Sequence, residues 1–331
     1  MKAAVPAVDP AGWAYPQPFG WRSLFVVIAA FAVLFYTGGR VEAGRMLSLT
    51  GAALMGDKAA EGGQGNVLAR LFPLQVSERQ DIARIANFDP AYLPLFAHLE
   101  EVRTSEQALD PETLEMKTRT VTRTYLVKPF GYLRHVAIKV LETLEIALWG
   151  TVIGVLVGLP LALLGASNVT PYGGVRFLAR SVVSFLRAMP ELISALFLVI
   201  AYGFGPIAGF MALGLHAAGV LGKFYADDME NADRRPQEAL AAIGAGRIAI
   251  WRLAIVPQVM PQYIGATLYV LDRNVRMATV IGLVGAGGIG QELKGRYDMY
   301  EYGHVGTILI AIFLVVLALD QISAHLRRRF L

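Results

Sequence analysis

Three charged residues interrupt an otherwise apolar stretch in the last third of the chain. Asp272, Arg273 and Arg276 lie near the middle of a predicted membrane-spanning helix. An unpaired charge at that depth costs at least about 2.5 kcal/mol, so these side chains must face protein or water. Asp272 and Arg276 are four residues apart and can pair on one helix face. Arg273 is then left over, and its planar fork of donors suits a pair of phosphonate or phosphate oxygens.

Two interpretations of Arg273 stay open at the level of sequence. It can form a structural ion pair, with Glu145 or Glu191 as the partner, or it can contact an anion directly. Glu191 is itself unusual, because it lies just inside the boundary of another apolar stretch. His216 lies in a further apolar stretch, and we interpret it as a hydrogen-bonded packing residue rather than a proton relay.

A glycine-rich segment, residues 285–290, matches the pattern G-x-G-x-x-G. A dinucleotide site would need an acidic residue about twenty positions further on, inside a βαβ unit. The sequence around Ile310 is apolar instead, so we expect tight packing or a re-entrant turn, where irregular backbone is tolerated only against protein or water. The chain also lacks the pattern G-x-x-x-x-G-K-[ST], which argues against ATP binding by that motif. The expected gate or packing glycines are Gly285, Gly287, Gly288 and Gly290.

Composition places the chain among integral membrane proteins. Of its 331 residues, 55% are hydrophobic and only 17% are charged, with a mean hydropathy of +0.49. The net charge of +4 is spread over the loops without a long basic tract, so nucleic acid is an unexpected partner. The absence of cysteine excludes disulfides, thiolate metal sites and a cysteine nucleophile. Glu142 and Glu145 share no face with a suitable second acid or base, so the sequence offers no constellation for acid–base catalysis.

Apolar periodicity predicts six spans, with both termini in the cytoplasm. Arginines within 166–187 and in the C-terminal tail support this orientation. The first span is interpreted as an uncleaved anchor rather than a secretory signal. The predicted segments are a cytoplasmic tail at 1–20, a first transmembrane helix at 21–39, a periplasmic insertion at 40–137, a transmembrane domain at 138–325 with spans at 138–164, 188–204, 206–223, 259–283 and 305–323, and a cytoplasmic basic tail at 326–331.

Small residues predict close packing within this domain. Gly150, Gly154 and Gly158 recur every four residues along the second span, which leaves a flat stripe for another helix to approach. Gly205 and Pro206 predict an abrupt turn between the third and fourth spans.

The stretch from Glu238 to Pro257 is polar enough to lie outside the membrane. Asp233 is a candidate cap for its helix, Gly244 is expected in mid-helix, and Pro257 is expected to end the pattern. Such a helix is either interfacial or a docking element for a soluble partner. One face is predicted from spacings of three and four: Leu240, Ile243, Gly244, Ile248 and Trp251.

The same stretch resembles the cytoplasmic signature loop of binding-protein-dependent ABC importer permeases. The resemblance lies in Glu238, Ala239, Gly244 and Pro257, although Leu240 replaces a usual alanine and Ala254 a usual isoleucine. The run from Pro257 to Leu293 is similar to permeases of phosphonate-type importers. The resemblance covers the chain from about Thr143 to its C-terminus.

This resemblance implies an all-α integral membrane fold of the type I importer permease class, with about six transmembrane helices and a cytoplasmic coupling helix. It implies the transmembrane subunit of an ATP-driven importer that moves a phosphonate, phosphite or similar anion across the bacterial inner membrane. The residues expected to couple to the ATPase are Glu238, Ala239, Gly244, Arg247 and Pro257. Those expected along the translocation path are Arg273, Arg276, Asp272, Asn274, Glu191 and Glu145.

The resemblance also implies partners. They are a cytoplasmic ABC ATPase dimer, a periplasmic substrate-binding protein, a second permease subunit and the lipid bilayer. No cofactor or metal is expected on this chain, which is not expected to be an enzyme. ATP and Mg are expected in the partner ATPase.

The polar segment at 40–137 is the least informative part of the sequence. Residues 76–86 and 92–102 are interpreted as short amphipathic helices, and residues 118–127 as a strand or extended arm. The segment is expected to be a spacer or cap on the permease, or a contact surface for the binding protein. Alternatives for the whole chain are a permease for phosphate or another small anion, an ion-coupled secondary transporter, and a membrane enzyme or sensor working through 40–137.

Overall fold

The computed structural model describes residues 21–40, 44, 48, 71–85, 88–90, 93–94, 96–109 and 116–330. It divides into two compact units, residues 1–70 and 71–331. In the first unit, helix α1 spans Trp21–Arg40, which agrees with the first predicted helix. The predicted tail at 1–20 lies outside the described residues.

The second unit begins with a three-stranded antiparallel sheet. Its strands are β1 (Glu78–Asp81), β2 (His98–Leu109) and β3 (Met116–Lys128), and β3 lies between the other two. Ile82–Arg84 forms a single 3-10 turn. The predicted strand at 118–127 is confirmed. The helix predicted at 76–86 is wrong, and residues 98–102 of the other predicted helix form a strand, because the backbone of both segments pairs with β3.

The segment just before β1 joins the sheet to the helical part through hydrogen bonds. The Gln75 N–H donates to Gly303 O at 3.2 Å, and the Leu133 N–H donates to Val76 O at 3.3 Å. Thr307 Oγ1 donates to Gln75 O at 2.8 Å. Residues 75 and 76 therefore attach this segment to the N-terminal ends of α2 and α10.

The rest of the unit is helical. Its helices are α2 (Gly131–Gly165), α3 (Gly173–Ala188), α4 (Glu191–Tyr202), α5 (Pro206–Glu230), α6 (Arg234–Ala242), α7 (Arg247–Ile250), α8 (Val256–Gly282), α9 (Gly288–Asp298) and α10 (Tyr302–Phe330). The second predicted span thus begins seven residues before its expected start.

Three of these helices are long and apolar enough to cross a membrane: α2, α5 and residues 302–325 of α10. Helices α3 and α4 form a fourth span only if the two are counted as one. They meet at an angle of 90° across the break between Ala188 and Glu191. With 27 residues α8 has the length, but its three central charges lower its hydropathy. The count of six spans stays a prediction, with α1 and α8 as the remaining two.

The third span differs in detail from its predicted form. Residues 173–188, expected to belong to a cytoplasmic loop, form an amphipathic helix, and the apolar helix after it has only 12 residues. Pro190 caps α4 with an extended backbone, and the residue before a proline is kept out of the helical region. The chain therefore turns at Met189 rather than continuing as one straight helix.

Helices α2 and α5 pack along the glycine stripe. A Cβ added at Gly150 would lie 2.8 Å from Leu213 Cβ, and one at Gly154 would lie 2.5 Å from Ala217 Cβ. At Gly158 it would lie 3.0 Å from a backbone oxygen of α5. The predicted close approach of another helix is confirmed, and α5 is that helix.

Candidate functional site

The stretch that resembles the importer signature loop forms two short helices joined by a turn. Asp233 caps α6, since its Oδ1 accepts from the Arg235 N–H at 3.0 Å. At the other end, the Gly244 N–H donates to Ala241 O and the Ala245 N–H donates to Leu240 O, both at 3.0 Å. These two bonds form a Schellman motif, which needs a left-handed residue. Gly244 supplies it, with φ of +81°.

The turn corrects the expectation that Gly244 lies in mid-helix and that a single helical face continues through Ile248. The left-handed residue ends α6 and redirects the chain into α7. As a result, Ile243 and Ile248 are 79% and 81% exposed on either side of the turn. Two large apolar side chains at the tip of an otherwise polar segment are typical of a surface that a protein partner covers.

The other predicted coupling residues lie on this segment. Glu238, Ala239 and Arg247 are all exposed, so the structure leaves them accessible to a partner. Pro257, expected to end the pattern, lies instead in the first turn of α8.

Helix α7 runs into α8 without a break, through one π-helical turn at Trp251–Ile255. In that turn the Val256 N–H donates to Trp251 O, five residues back. A proline has no N–H to donate and its ring clashes with the carbonyl four residues before it. The wider π turn just ahead of Pro257 relaxes this conflict. We call residues 234–250 the coupling segment, after the role that their resemblance implies. This segment therefore leads directly into the helix that carries the charged cluster.

That cluster joins three helices. Arg273 Nη2 of α8 donates to Glu191 Oε1 at the start of α4. His216 of α5 places its Nε2 3.4 Å from the same carboxylate oxygen, and its Nδ1 lies 3.1 Å from Met189 O. Arg273 therefore does not pair with Asp272, and its partner is Glu191. The ion pair with Glu191, one of the two open interpretations, is what the structure shows.

The neighbouring polar residues behave differently from one another. Arg276 Nη2 donates to Asp272 Oδ2 at 2.5 Å, as their spacing predicts. Asn274 is buried and its Nδ2 donates to Thr151 Oγ1 of α2 at 2.9 Å, so it connects two helices. Glu145 is exposed on α2 and has no hydrogen-bond or ion-pair partner among the described residues.

The glycine-rich segment forms a turn between α8 and α9. Gly285, Gly287 and Gly288 have φ of +92°, +84° and +70°. A Cβ at Gly290 would lie 2.0 Å from Thr279 O, so α9 folds back tightly against α8. This agrees with the expected tight packing at this segment.

Sequence reasoning missed the two residues that hold this turn. Glu142 Oε1 accepts from the Gly288 N–H at 2.9 Å, and Thr143 Oγ1 accepts from the Ile289 N–H at 2.8 Å. Both side chains come from α2 and cap the first turn of α9, where backbone N–H groups lack helical partners. The signal available in the sequence was an adjacent polar pair within a strongly apolar helix.

Charged side chains fix α9 from its other end. Arg296 donates to Glu292 Oε1 at 2.8 Å and to Glu301 Oε2 at 2.6 Å, and its guanidinium lies 5.0 Å from the centre of the Tyr132 ring. Burial raises the pKa of Glu292, but the bond from Arg296 and the nearby His135 outweigh it and hold that pKa below its usual value. Within the described residues, no group of three or more His, Asp or Glu could hold a metal ion.

Comparison with known proteins finds relatives among transport permeases. The putative phosphite transport system permease protein HtxE of Stutzerimonas stutzeri is 52% identical over 261 residues, which are 79% of this chain and 100% of that protein. The phosphate-import permease protein PhnE of Mycolicibacterium smegmatis is 40% identical over 187 residues, 56% of this chain and 35% of that protein.

A solved structure shares the fold. A chain of the MetNI methionine ABC transporter in an inward facing conformation superposes with a TM-score of 0.52 at 21% identity, over 59% of this chain and 96% of that chain. The model of the family described as binding-protein-dependent transport system inner membrane component matches residues 150–331. That range contains the coupling segment, the charged cluster and the glycine-rich turn. The chain is a multi-pass membrane protein and belongs to this family of transport permeases.

Proposed function

We propose that this chain is the membrane-spanning subunit of an ATP-driven importer that moves phosphite or a phosphonate across the bacterial inner membrane. The observation that carries the proposal is the 52% identity over the full length of a relative named as a phosphite permease. Two arginines in the middle of α8 are consistent with an anionic cargo.

The ATPase is a separate partner in this proposal. ATP and Mg bind there, and this chain binds neither. Ile243 and Ile248, with the turn between them, provide the docking surface for it. Two copies of the permease, or this chain and a paralogue, would each present one such surface to an ATPase dimer. A periplasmic binding protein would deliver the anion from the other side.

The continuous helix from α7 to α8 can transmit movement from the ATPase into the membrane. From Arg247 to Arg273 the chain is helical throughout, a distance of about 39 Å at 1.5 Å per residue. A displacement of the coupling segment by the ATPase would therefore be transmitted along α8 to the cluster of Arg273 and Glu191. Since Glu191 lies at the 90° break between α3 and α4, that movement would also bear on the hinge.

Uptake by the assembled importer tests this function. The chain is purified from its native membrane with the ATPase and binding protein that accompany it and is reconstituted in liposomes. We expect ATP-dependent uptake of labelled phosphite or methylphosphonate that excess sulfate does not inhibit. An absence of any copurifying ATPase, or uptake driven by an ion gradient alone, would overturn the proposal.

Phosphate is the second candidate cargo, because one relative is named as a phosphate-import permease. The same liposomes distinguish the two by competition. If phosphate uptake is inhibited by phosphite only at a large excess, phosphate is the cargo.

A further inference from the structure

We propose that Arg273 and Arg276 of α8 form a transit site for the tetrahedral oxyanion, and that the anion competes with Glu191 for Arg273. This inference rests on the proposed function and specifies where within the permease the cargo is held. Four observations carry it: an exposed polar stripe, the unequal burial of the paired charges, the unused donors of both arginines, and the second contact of Glu191.

The first observation is a stripe along α8 that the protomer leaves uncovered. Gln262, Tyr269, Arg276 and Val280 are exposed, and Arg273 is half-buried beside them. Their successive spacings of seven, four, three and four residues place them on one helix face. A stripe with two arginines cannot face lipid, because each charge would cost at least about 2.5 kcal/mol. It therefore faces an aqueous path or a second subunit along that path.

The second observation is that the two acids are more deeply buried than the two arginines, which lie nearer the exposed stripe. The side chain of Glu191 is 12% exposed, against 28% for Arg273. That of Asp272 is 7% exposed, against 45% for Arg276. An anion approaching from the stripe meets positive charge first. Two acids and two arginines sum to zero, so these four side chains carry no net charge when no anion is present.

The third observation concerns hydrogen-bond donors. A guanidinium has five N–H donors. Among the described residues, Arg273 uses one terminal nitrogen, on Glu191, and Arg276 uses one, on Asp272. The remaining nitrogens of Arg273 do not belong to the buried polar atoms without partners. Two neighbouring forks with free donors fit an anion that presents several oxygens at once, as phosphite and phosphonates do.

The fourth observation explains how the anion leaves. Glu191 Oε1 contacts both Arg273 and His216 Nε2. With the imidazole proton on Nε2, His216 remains a hydrogen-bond donor to the carboxylate when Arg273 turns to the anion. Because Glu191 competes with the anion for Arg273, the anion is not bound tightly. A path conducts only if its sites bind weakly enough to release. Glu191 thus sets the release of the anion, and we place it as a positioning residue for Arg273.

The experiment measures two quantities on the purified permease–ATPase complex: equilibrium binding of labelled phosphite without binding protein, and turnover of uptake in liposomes with it. Glu191→Gln keeps the shape of the side chain and removes the competing charge. We expect it to bind phosphite about tenfold more tightly and to turn over more slowly. Arg273→Lys and Arg276→Lys should each bind about tenfold more weakly, as expected when a charge-assisted contact is lost.

The matched control is Arg180→Lys. Arg180 forms an ion pair between α3 and α5 with Glu230, away from the stripe, so binding should not change. In the double variant Glu191→Gln with Arg273→Lys, the gain in affinity should disappear. Asp272→Asn offers an independent variant, which should tighten binding by freeing Arg276.

A purely structural ion pair gives a different pattern. Variants at Glu191 and Arg273 would then lower assembly with the ATPase and leave the affinity of the assembled fraction unchanged, which overturns the inference. The same holds if neither wild type nor Glu191→Gln binds phosphite while the wild type transports it; the proposed function then stands without this site. If the wild-type importer transports phosphate instead, the same measurements are made with phosphate.

Discussion

At the scale of single residues, Gly244 is required by its own backbone rather than by its surroundings. Its φ of +81° is left-handed, and a Cβ added there would meet no atom of the chain within 4 Å. Crowding within the protomer therefore gives no reason for the glycine. The reason is the Schellman turn, since a side chain in this conformation costs about 1–2 kcal/mol.

Replacement of Gly244 by alanine should uncouple the importer without lowering its abundance. The turn that presents Ile243 and Ile248 would be strained, so we expect uptake and uptake-dependent ATP hydrolysis to fall by about tenfold. Gly246→Ala is the control, because Gly246 also has open space around it but no left-handed backbone. Equal activity of the two alanine variants would show that the turn has no role in coupling. Gly244→Leu should add to the strain a bulky group at the docking surface and abolish uptake.

Glu142 and Glu145 provide a second test at this scale. They lie three residues apart on α2, but only Glu142 accepts a hydrogen bond from the N-terminus of α9. Glu142→Gln removes a negative charge beside the positive end of a helix, worth about 0.3–1 kcal/mol. We expect a lower unfolding temperature of the detergent-solubilised complex for Glu142→Gln and no change for Glu145→Gln. A reversed order would mean that the cap of α9 is not important for stability.

At the scale of elements, the contact between α2 and α5 determines how closely the central helices approach. Glycine at every fourth position of α2 brings its backbone against α5, and the Cβ of Ala217 occupies the space that a side chain at Gly154 would need. Helices in a membrane gain little from the hydrophobic effect, because lipid is itself apolar. Van der Waals contact at such a close approach stabilises their association instead.

Gly154→Ala should therefore destabilise the complex by about 1–3 kcal/mol, the usual cost of overpacking. The measurement is the fraction that remains assembled with the ATPase after heating in detergent. Ala217→Gly on the same chain removes the clashing Cβ and should restore much of the loss. Gly295→Ala on α9 is the control, since nothing lies within 4 Å of that position. If the second substitution rescues nothing, the two helices do not pack as described.

The glycine stripe, the break before Glu191 and the sheet differ in how well the sequence predicted them. The stripe was predictable because its spacing of four is a local property of one helix. The 90° break before Glu191 was not, because a single proline is compatible with a straight span, a kink or a hinge. The sheet was misread since short segments with mixed polar and branched residues satisfy both periods, and only pairing with β3 selects the strand.

At the scale of the whole molecule, the sheet and the coupling segment lie at opposite ends of the helices. The sheet joins the N-terminal ends of α2 and α10, whereas the coupling segment follows the C-terminal end of α5 and precedes α8. Gly150, Gly154 and Gly158 of α2 approach Leu213, Ala217 and Ala218 of α5 in the same order, so the two helices run parallel. If both helices cross the membrane, the start of α2 and the end of α5 face different compartments, and so do the two regions.

The absence of cysteine allows a direct test of this topology. Thr122→Cys on β3 and Ala242→Cys at the end of α6 are both exposed positions in a chain without other thiols. In right-side-out spheroplasts, a membrane-impermeant maleimide should label Thr122→Cys and spare Ala242→Cys. After permeabilisation and release of the ATPase, both should react. Labelling of Ala242→Cys from outside would invert the topology. Protease cleavage between Gly51 and Gln64, also expected from outside, concerns residues beyond those that the structure describes.

The sequence by itself determined the membrane class, the placement of most helices and the resemblance of the coupling segment to an importer permease. These properties depend on composition and on spacings within about twenty residues, which a single helix or turn expresses locally. The glycine at position 244 is also a local feature of this type. That it ends a helix, rather than lying in the middle of one, became clear only from the hydrogen bonds of the turn.

The tertiary structure decided which charges meet. Glu191 lies 82 residues before Arg273, and Glu142 lies 146 residues before Gly288. A side chain in a membrane-spanning helix has several possible partners at its depth, and its choice depends on the rotation and height of every neighbouring helix. Those are collective properties of the packed bundle, since close approach at Gly154 sets the position of α5 and with it His216 beside Glu191. Periodicity along one helix carries no information about them.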